Sequence, residues 1–219
     1  MHTQIVDTQD GSHTLFVPEL EEHYHSVHGA VNESMYVFIE AGLNYCSRDS
    51  DLDILEMGFG TGLNAFLTLL QNMKTERKIR YRTIELFPLD FRKVQQLNYT
   101  SILGNEDLFA FLHKCGWDRE IEINEKFILH KIHTDFAAWT PVHFYDLIYF
   151  DAFAPDVQPE LWTSGTFTKL FDSLNPGGVF TTYSAKGEVR RGLEAAGFTL
   201  ERLPGPPGKR EMLRGIKIC

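Results

Sequence analysis

From residue 52 onward, short apolar runs alternate with stretches of helical periodicity. The run 52–57, Leu52-Asp53-Ile54-Leu55-Glu56-Met57, ends in Gly58-Phe59-Gly60-Thr61-Gly62, and 63–70 then has strong helix character. That pattern predicts strand, tight turn, helix. Further strands are predicted at 79–84, 127–132, 146–150 and 179–183, each divided from the last by helix-compatible sequence. Such alternation predicts an α/β chain whose parallel sheet is covered on both faces. Helices are predicted at 163–174, before Asn175-Pro176-Gly177-Gly178, and at 188–196, stopped by Gly197. The runs 198–203 and 212–218 fit an antiparallel hairpin across Pro204-Gly205-Pro206-Pro207-Gly208.

Ahead of this core, Asn32 can cap a helix over 33–41 that puts Met35, Phe38 and Ile39 on one face and ends at Gly42. The organisation read from the chain is therefore an N-terminal extension with a lid or packing helix, 1–51, and one domain, 52–219. The stretch 98–117 is longer than a minimal crossover needs and reads as extra helix near a binding site.

Composition narrows the class. A hydrophobic fraction of 43% fills a conventional core, and no run approaches the length of a membrane span. The N-terminus turns acidic within ten residues, without the basic and apolar stretches of a secretory signal, so a cytoplasmic location is expected. Cys46, Cys115 and Cys219 are widely separated, and structural disulfides are not expected. The net charge of -9 argues against nonspecific coating of nucleic acid, but residues 186–219 carry eight basic and four acidic side chains. His23, His25 and His28 lack a matching Cys/Asp set, so no metal site is expected, and their segment reads as a loop that covers a ligand.

The glycine cluster follows a strand, where closely spaced glycines let backbone approach a ligand. The dinucleotide fingerprint is incomplete because its last position is Leu63, and no lysine follows to make a Walker loop. What remains is Glu56-x-Gly58-x-Gly60-x-Gly62 followed by Asn64, and this resembles the first motif of the class I S-adenosylmethionine methyltransferases. The resemblance implies a Rossmann-like fold with a seven-stranded, mostly parallel sheet and an antiparallel C-terminal hairpin. It also implies that Glu85, which lies 29 residues after Glu56, contacts a ribose, that Asp135 lies at the adenine, and that Asp151 lies beside the reacting methyl. A ligand carrying sulfonium and ammonium charges and no phosphate suits carboxylates at strand ends.

A closer resemblance spans most of the chain. It rests on Glu22-His23-Tyr24-His25-Ser26, Glu85-Leu86-Phe87-Pro88-Leu89, Asp151-Ala152-Phe153-Ala154-Pro155 with Pro159-Glu160-Leu161-Trp162-Thr163, and Gly208-Lys209-Arg210-Glu211-Met212. These segments are similar to the methyltransferase domain of the bifunctional bacterial tRNA enzymes of the MnmC family, and to its single-domain relatives. The resemblance implies N-methylation of 5-aminomethyl-(2-thio)uridine at the tRNA wobble position, with S-adenosylmethionine as cofactor and neither metal nor FAD in this chain. Asp151 is the candidate base, because a protonated amine must lose its proton before it can attack a methyl. Phe153, Pro155 and Trp162 are candidates for stacking a flipped-out base, with plain core packing as the other reading of Phe153 and Trp162. Lys186, Arg190, Arg191, Lys209 and Arg210 are candidates for tRNA phosphate contact. A separate enzyme is then expected to supply the aminomethyl group. The alternative reading is a methyltransferase or aminopropyltransferase acting on a small-molecule amine, and a noncatalytic scaffold is a third.

Overall fold

The computed structural model describes residues 2–46 and 50–218. Cys219 lies outside the described residues, and Cys46 and Cys115 are free thiols. The chain opens with a small antiparallel sheet of β1 (Gln4–Asp7), β2 (His13–Val17) and β3 (Glu22–His23), in that order. A short helix, α1 (Ala30–Ser34), runs directly into a π-helical stretch, Met35–Leu43.

This helix begins earlier and ends later than the sequence predicts. Gly29, not Asn32, is its N-cap, and Gly42 lies inside it. Gly42 is there for packing rather than termination, since a Cβ on it would sit 3.1 Å from the Tyr149 ring. Val37, Phe38, Ile39 and Leu43 are buried, and the Phe38 ring lies 5.2 Å from that of Tyr149.

The α/β core follows as β4 (Leu52–Met57), α2 (Leu63–Asn72), β5 (Ile79–Glu85), α3 (Phe91–Val94), α4 (Tyr99–Leu103) and α5 (Glu106–Lys114). It continues with β6 (Glu120–Asn124), β7 (Phe127–His133), β8 (Tyr145–Phe150), α6 (Ser164–Asp172) and β9 (Leu174–Thr182). Then come α7 (Gly187–Ala196), β10 (Thr199–Pro204) and β11 (Glu211–Ile216). The sheet order is β10-β11-β9-β8-β4-β5-β7-β6, with β9, β8, β4, β5 and β7 parallel and the outer strands antiparallel. It holds eight strands rather than seven because Glu120–Asn124 adds an edge strand against β7.

Period-two alternation assigns each strand residue to one face. Ile54, Leu147 and Tyr149 pack with the π-helical stretch, α2 and α5, while Leu55, Ile148 and Phe150 pack with α6 and α7. Burying each such side chain contributes about 1.5–3 kcal/mol, so the central strands are the least replaceable part of the fold. Lys131 of β7 is a buried charged residue in this sheet, being 1% exposed. Its ammonium donates to the carbonyls of Leu112 and His113 at 2.8 and 2.9 Å, so it caps the end of α5.

The chain leaves β4 toward β5 on one side and later returns to place β8 on the other. Such a reversal opens a crevice at the carboxyl ends of the strands. Several of the functional candidates collect there, among them Gly58, Gly60, Asn64, Glu85, Asp135 and Asp151. Among the described residues, no helix is long and apolar enough to cross a membrane.

Candidate functional site

A cavity of about 710 Å3 lies over the carboxyl ends of β4, β5 and β8, within the roughly 300–1,000 Å3 typical of small-molecule pockets. Its floor is the glycine loop. Gly58 has φ 87°, and a Cβ on it would sit 3.0 Å from the carbonyl oxygen of Asp151, so only glycine lets the ends of β4 and β8 approach this closely. The Asp151 amide donates to the carbonyl of Met57 at 3.2 Å and ties the two ends together.

The strand-end carboxylates take three different positions. Glu85 lines the cavity and braces two loops, with Oε2 accepting from the Gly60 amide at 3.0 Å and Oε1 from the Phe87 amide at 2.7 Å. Asp135 lines the wall beyond β7 and accepts from the Ala137 amide at 2.8 Å. Glu56 lies beneath the floor instead. It is 0% exposed, neither carboxylate oxygen forms a well-directed hydrogen bond, and it is not among the lining residues. Burial pushes its carboxyl up to about 8, against the nearby polar groups of Thr83, Tyr81 and Asn64. Gly58 and Gly60 line the cavity, whereas Gly62 is set back as the N-cap of α2.

Asp151 is at the centre. Its Oδ2 accepts from Asn64 Nδ2 at 2.7 Å, while Asn64 Oδ1 is buried without a partner. Burial, and then the Glu33 carboxylate, push the Asp151 carboxyl up to about 7, against the Asn64 bond and the Lys209 charge. A carboxyl poised near neutrality is suited to proton transfer.

The opposite wall is built by residues that the strand pattern does not single out. Glu33 Oε2 accepts from the Ser26 amide at 2.8 Å, and its Oε1 receives Lys209 Nζ at 2.7 Å. Lys209 Nζ also lies 3.7 Å from the centre of the Tyr183 ring, and the Tyr183 hydroxyl donates to the Ala152 carbonyl at 2.9 Å. Tyr24 meets Phe153 edge-on at 5.1 Å. His25 is buried with Nε2 2.8 Å from the Thr61 hydroxyl, and burial pushes its imidazole down to about 4. His113 is pushed down to about 3 by burial and by Lys131. The histidine segment therefore divides: His23 and His25 line the cavity, His23 also packing on Phe16 at 4.7 Å, whereas His28 lies outside it with Nδ1 3.0 Å from Gln9 Oε1. Among the described residues, no group of three or more His, Cys, Asp or Glu is placed to hold a metal.

The aromatic candidates also divide. Phe153 lines the cavity. Trp162 does not; its indole donates to the Phe153 carbonyl at 2.7 Å and its ring meets Phe150 edge-on at 4.8 Å, so it supports the loop from below. Pro155 is buried behind that loop. Of the basic candidates, Lys209 belongs to the cavity wall rather than to an outer face. Lys186 pairs with Asp156, and Arg190 with Glu194 at 3.3 Å on the same helix. Arg191 and Arg210 are exposed and have no ion pair among the described residues.

The lining carries Glu22, Glu33, Glu85, Asp135, Asp151 and Glu160 against the single ammonium of Lys209. Such a wall selects for positive charge and against phosphate. A solved structure, MnmC2 from Aquifex aeolicus, superposes on 98% of the chain with TM-score 0.77 and 24% identity, and the chain covers 70% of it. A family model described as an S-adenosyl-L-methionine-dependent methyltransferase matches residues 111–218. In fold, and in sequence over residues 111–218, the chain is similar to methyltransferases.

The chain is also similar in sequence to the bifunctional tRNA 5-methylaminomethyl-2-thiouridine biosynthesis proteins MnmC. It is 29% identical to that of Nitrosospira multiformis over 96% of this chain, and 30% identical to that of Pseudoalteromonas atlantica over 93%. It spans about a third of the length of these relatives. The cavity fits the cofactor on its own chemistry. The glycine turn gives close backbone approach, the buried Asn64 Oδ1 is an acceptor without a partner, and the acidic wall complements sulfonium and ammonium charges.

Proposed function

We propose that this chain is an S-adenosylmethionine-dependent methyltransferase that N-methylates the aminomethyl group of 5-aminomethyl-(2-thio)uridine at the tRNA wobble position, giving the 5-methylaminomethyl base. The observation that carries the reading is the placement of Asp151. It sits in an acidic cavity, held by Asn64, beside the aromatic wall of Phe153 and Tyr183.

Under this reading the glycine loop, Glu85 and Asp135 hold S-adenosylmethionine, which supplies an electrophilic methyl group. Asp151 attracts the acceptor as an ammonium ion and takes its proton, which leaves the nitrogen lone pair free to attack. The remaining task is positioning, and Phe153 presents a ring edge or face to an extruded base. Arg191 and Arg210 offer exposed charge for phosphates outside the cavity. The aminomethyl group must be made before this step, by an enzyme that generates a primary amine on the base.

The test is methyl transfer from labelled S-adenosylmethionine to tRNA from cells lacking this protein, followed by nucleoside mass spectrometry. Gain of one methyl group on 5-aminomethyluridine derivatives supports the reading. Cofactor binding without any gain on tRNA moves the acceptor to a small amine.

A further inference from the structure

Two elements outside the parallel core converge on one residue of the glycine loop. Thr61, between Gly60 and Gly62, is 1% exposed. From one side His25 Nε2 lies 2.8 Å from its hydroxyl; from the other, His113 Nε2 lies 3.1 Å from its carbonyl oxygen. His25 belongs to the N-terminal sheet region and His113 to α5, in the long crossover between β5 and β6.

Both imidazoles are themselves held. The His25 amide donates to the Thr14 hydroxyl at 2.9 Å, and that hydroxyl donates back to the His25 carbonyl at 3.2 Å, so β2 fixes the backbone at His25. The His113 ring packs against Phe59 and Phe109 at 5.1 and 4.8 Å, and its carbonyl is one of the two that receive Lys131. Because a carbonyl only accepts, His113 carries its hydrogen on Nε2. Space is matched as well, since a Cβ at Gly62 would come within 2.6 Å of His113 Nε2.

The loop needs such a hold. Gly58, Gly60 and Gly62 have φ of 87°, 48° and 72°, and glycines lose more conformational freedom on ordering than any other residue. A loop left free would have to be ordered at the moment of binding, which weakens affinity. The cofactor therefore meets a loop whose shape is set by contacts made elsewhere.

We propose that His25 and His113 are positioning residues for the cofactor: by gripping Thr61 from opposite sides they pre-organise the glycine loop and make cofactor affinity depend on docking of the N-terminal sheet. This rests on the reading that the glycine loop binds S-adenosylmethionine. Neither histidine is assigned contact with the cofactor, and neither moves a proton. Their effect reaches the cofactor through the loop, at Thr61 and, for His113, also at the Phe59 ring on which it packs.

The test is calorimetric binding of S-adenosylhomocysteine, which needs no acceptor, to the full chain and its variants. Thr61→Val is expected to weaken binding about tenfold, the effect of one buried hydrogen bond lost with its partner left unsatisfied. Thr61→Ser, which keeps the hydroxyl, should bind nearly as the unaltered chain does. His25→Phe should cost as much as Thr61→Val, and the double variant little more, because both remove the same bond. Unchanged affinity in Thr61→Val, or no recovery in Thr61→Ser, overturns the proposal, whatever happens to the melting temperature.

Hydrogen exchange on the unaltered chain covers the case in which a variant does not fold. S-adenosylhomocysteine should slow amide exchange in residues 13–25 and 106–113 together with the loop, and protection confined to the loop counts against the proposal. If the unaltered chain does not bind S-adenosylhomocysteine at all, this inference and the methyltransferase reading fall together. If it binds and Thr61→Val is indifferent, only this inference falls.

Discussion

Asn64 Nδ2 donates to Asp151 Oδ2 at 2.7 Å, from the first turn of α2 to the end of β8. A hydrogen bond given to a carboxylate favours the ionised form, so Asn64 opposes the burial that pushes Asp151 up to about 7. In the cofactor-free chain, Asn64→Ala should move the Asp151 titration to higher pH. Carboxyl-carbon NMR of both chains measures this, and a midpoint that stays put or falls would show that the bond does not govern the charge. Asp151→Ala should spare cofactor binding and abolish turnover; equal loss of both would mean that Asp151 is a cofactor ligand first.

Glu85 braces the Gly60 and Phe87 amides while facing the cavity. Removing it takes away both the brace and a carboxylate that faces the cavity. Glu85→Ala should weaken S-adenosylmethionine binding by roughly 1–3 kcal/mol. Calorimetry that returns the affinity of the unaltered chain would remove Glu85 from the site.

The buried ionisable groups set the pH dependence of stability. For Glu56 and Asp151, pushed up to about 8 and about 7, the folded chain keeps protons that the unfolded chain releases from about pH 4 upward. Their effect is a stability lost as pH rises. His25 and His113 are pushed down, so the folded chain refuses protons that the unfolded chain takes up below about 6.5, and that stability is lost as pH falls. The two effects offset between about pH 5 and 6, which leaves a decline between about 6.5 and 8 of at most about 1.4 kcal/mol per pH unit per group. Urea midpoints of the cofactor-free chain at these pH values should show the decline, and Glu56→Gln should flatten its alkaline part. Parallel curves for the two chains would place the titration elsewhere.

Arg191 and Arg210 project from the basic C-terminal region, whereas Arg202 is clasped by Glu211 at 2.6 Å. If the first two contact tRNA phosphates, Arg191→Ala and Arg210→Ala should each lower tRNA affinity and reduce the slope of log affinity against log salt by about 1. Arg202→Ala should change neither. Filter binding over a range of salt decides, and equal slopes in all four chains would free this face of a phosphate role.

Much of the sheet was legible because its strands are buried on both faces and bounded by turns, as in 52–57 before Gly58 and 146–150 before Asp151. The edge strand Glu120–Asn124 is less legible, although Glu120-Ile121-Glu122-Ile123 alternates; with Ile121 and Ile123 only partly buried, its signal is short and weak. The strands of the N-terminal sheet are two to five residues long, too short for any periodicity to show. In the site, the glycine loop and its carboxylates follow from local order along the chain. Glu33, His113 and Tyr183 do not, since each enters the site through contacts made by the folded chain. In sequence Lys209 reads as a phosphate contact, because sequence shows its charge and not its partner, Glu33, which lies 176 residues away.

That same separation bears on synthesis of the protein. The glycine loop and Asp151 are complete well before Lys209 is added, yet Glu33 has no cation of its own until then. A growing chain thus carries every residue of the glycine loop and Asp151 before it carries the cation that pairs with Glu33. The wall that pairs Glu33 with Lys209 can therefore close only after residue 209 has joined the chain.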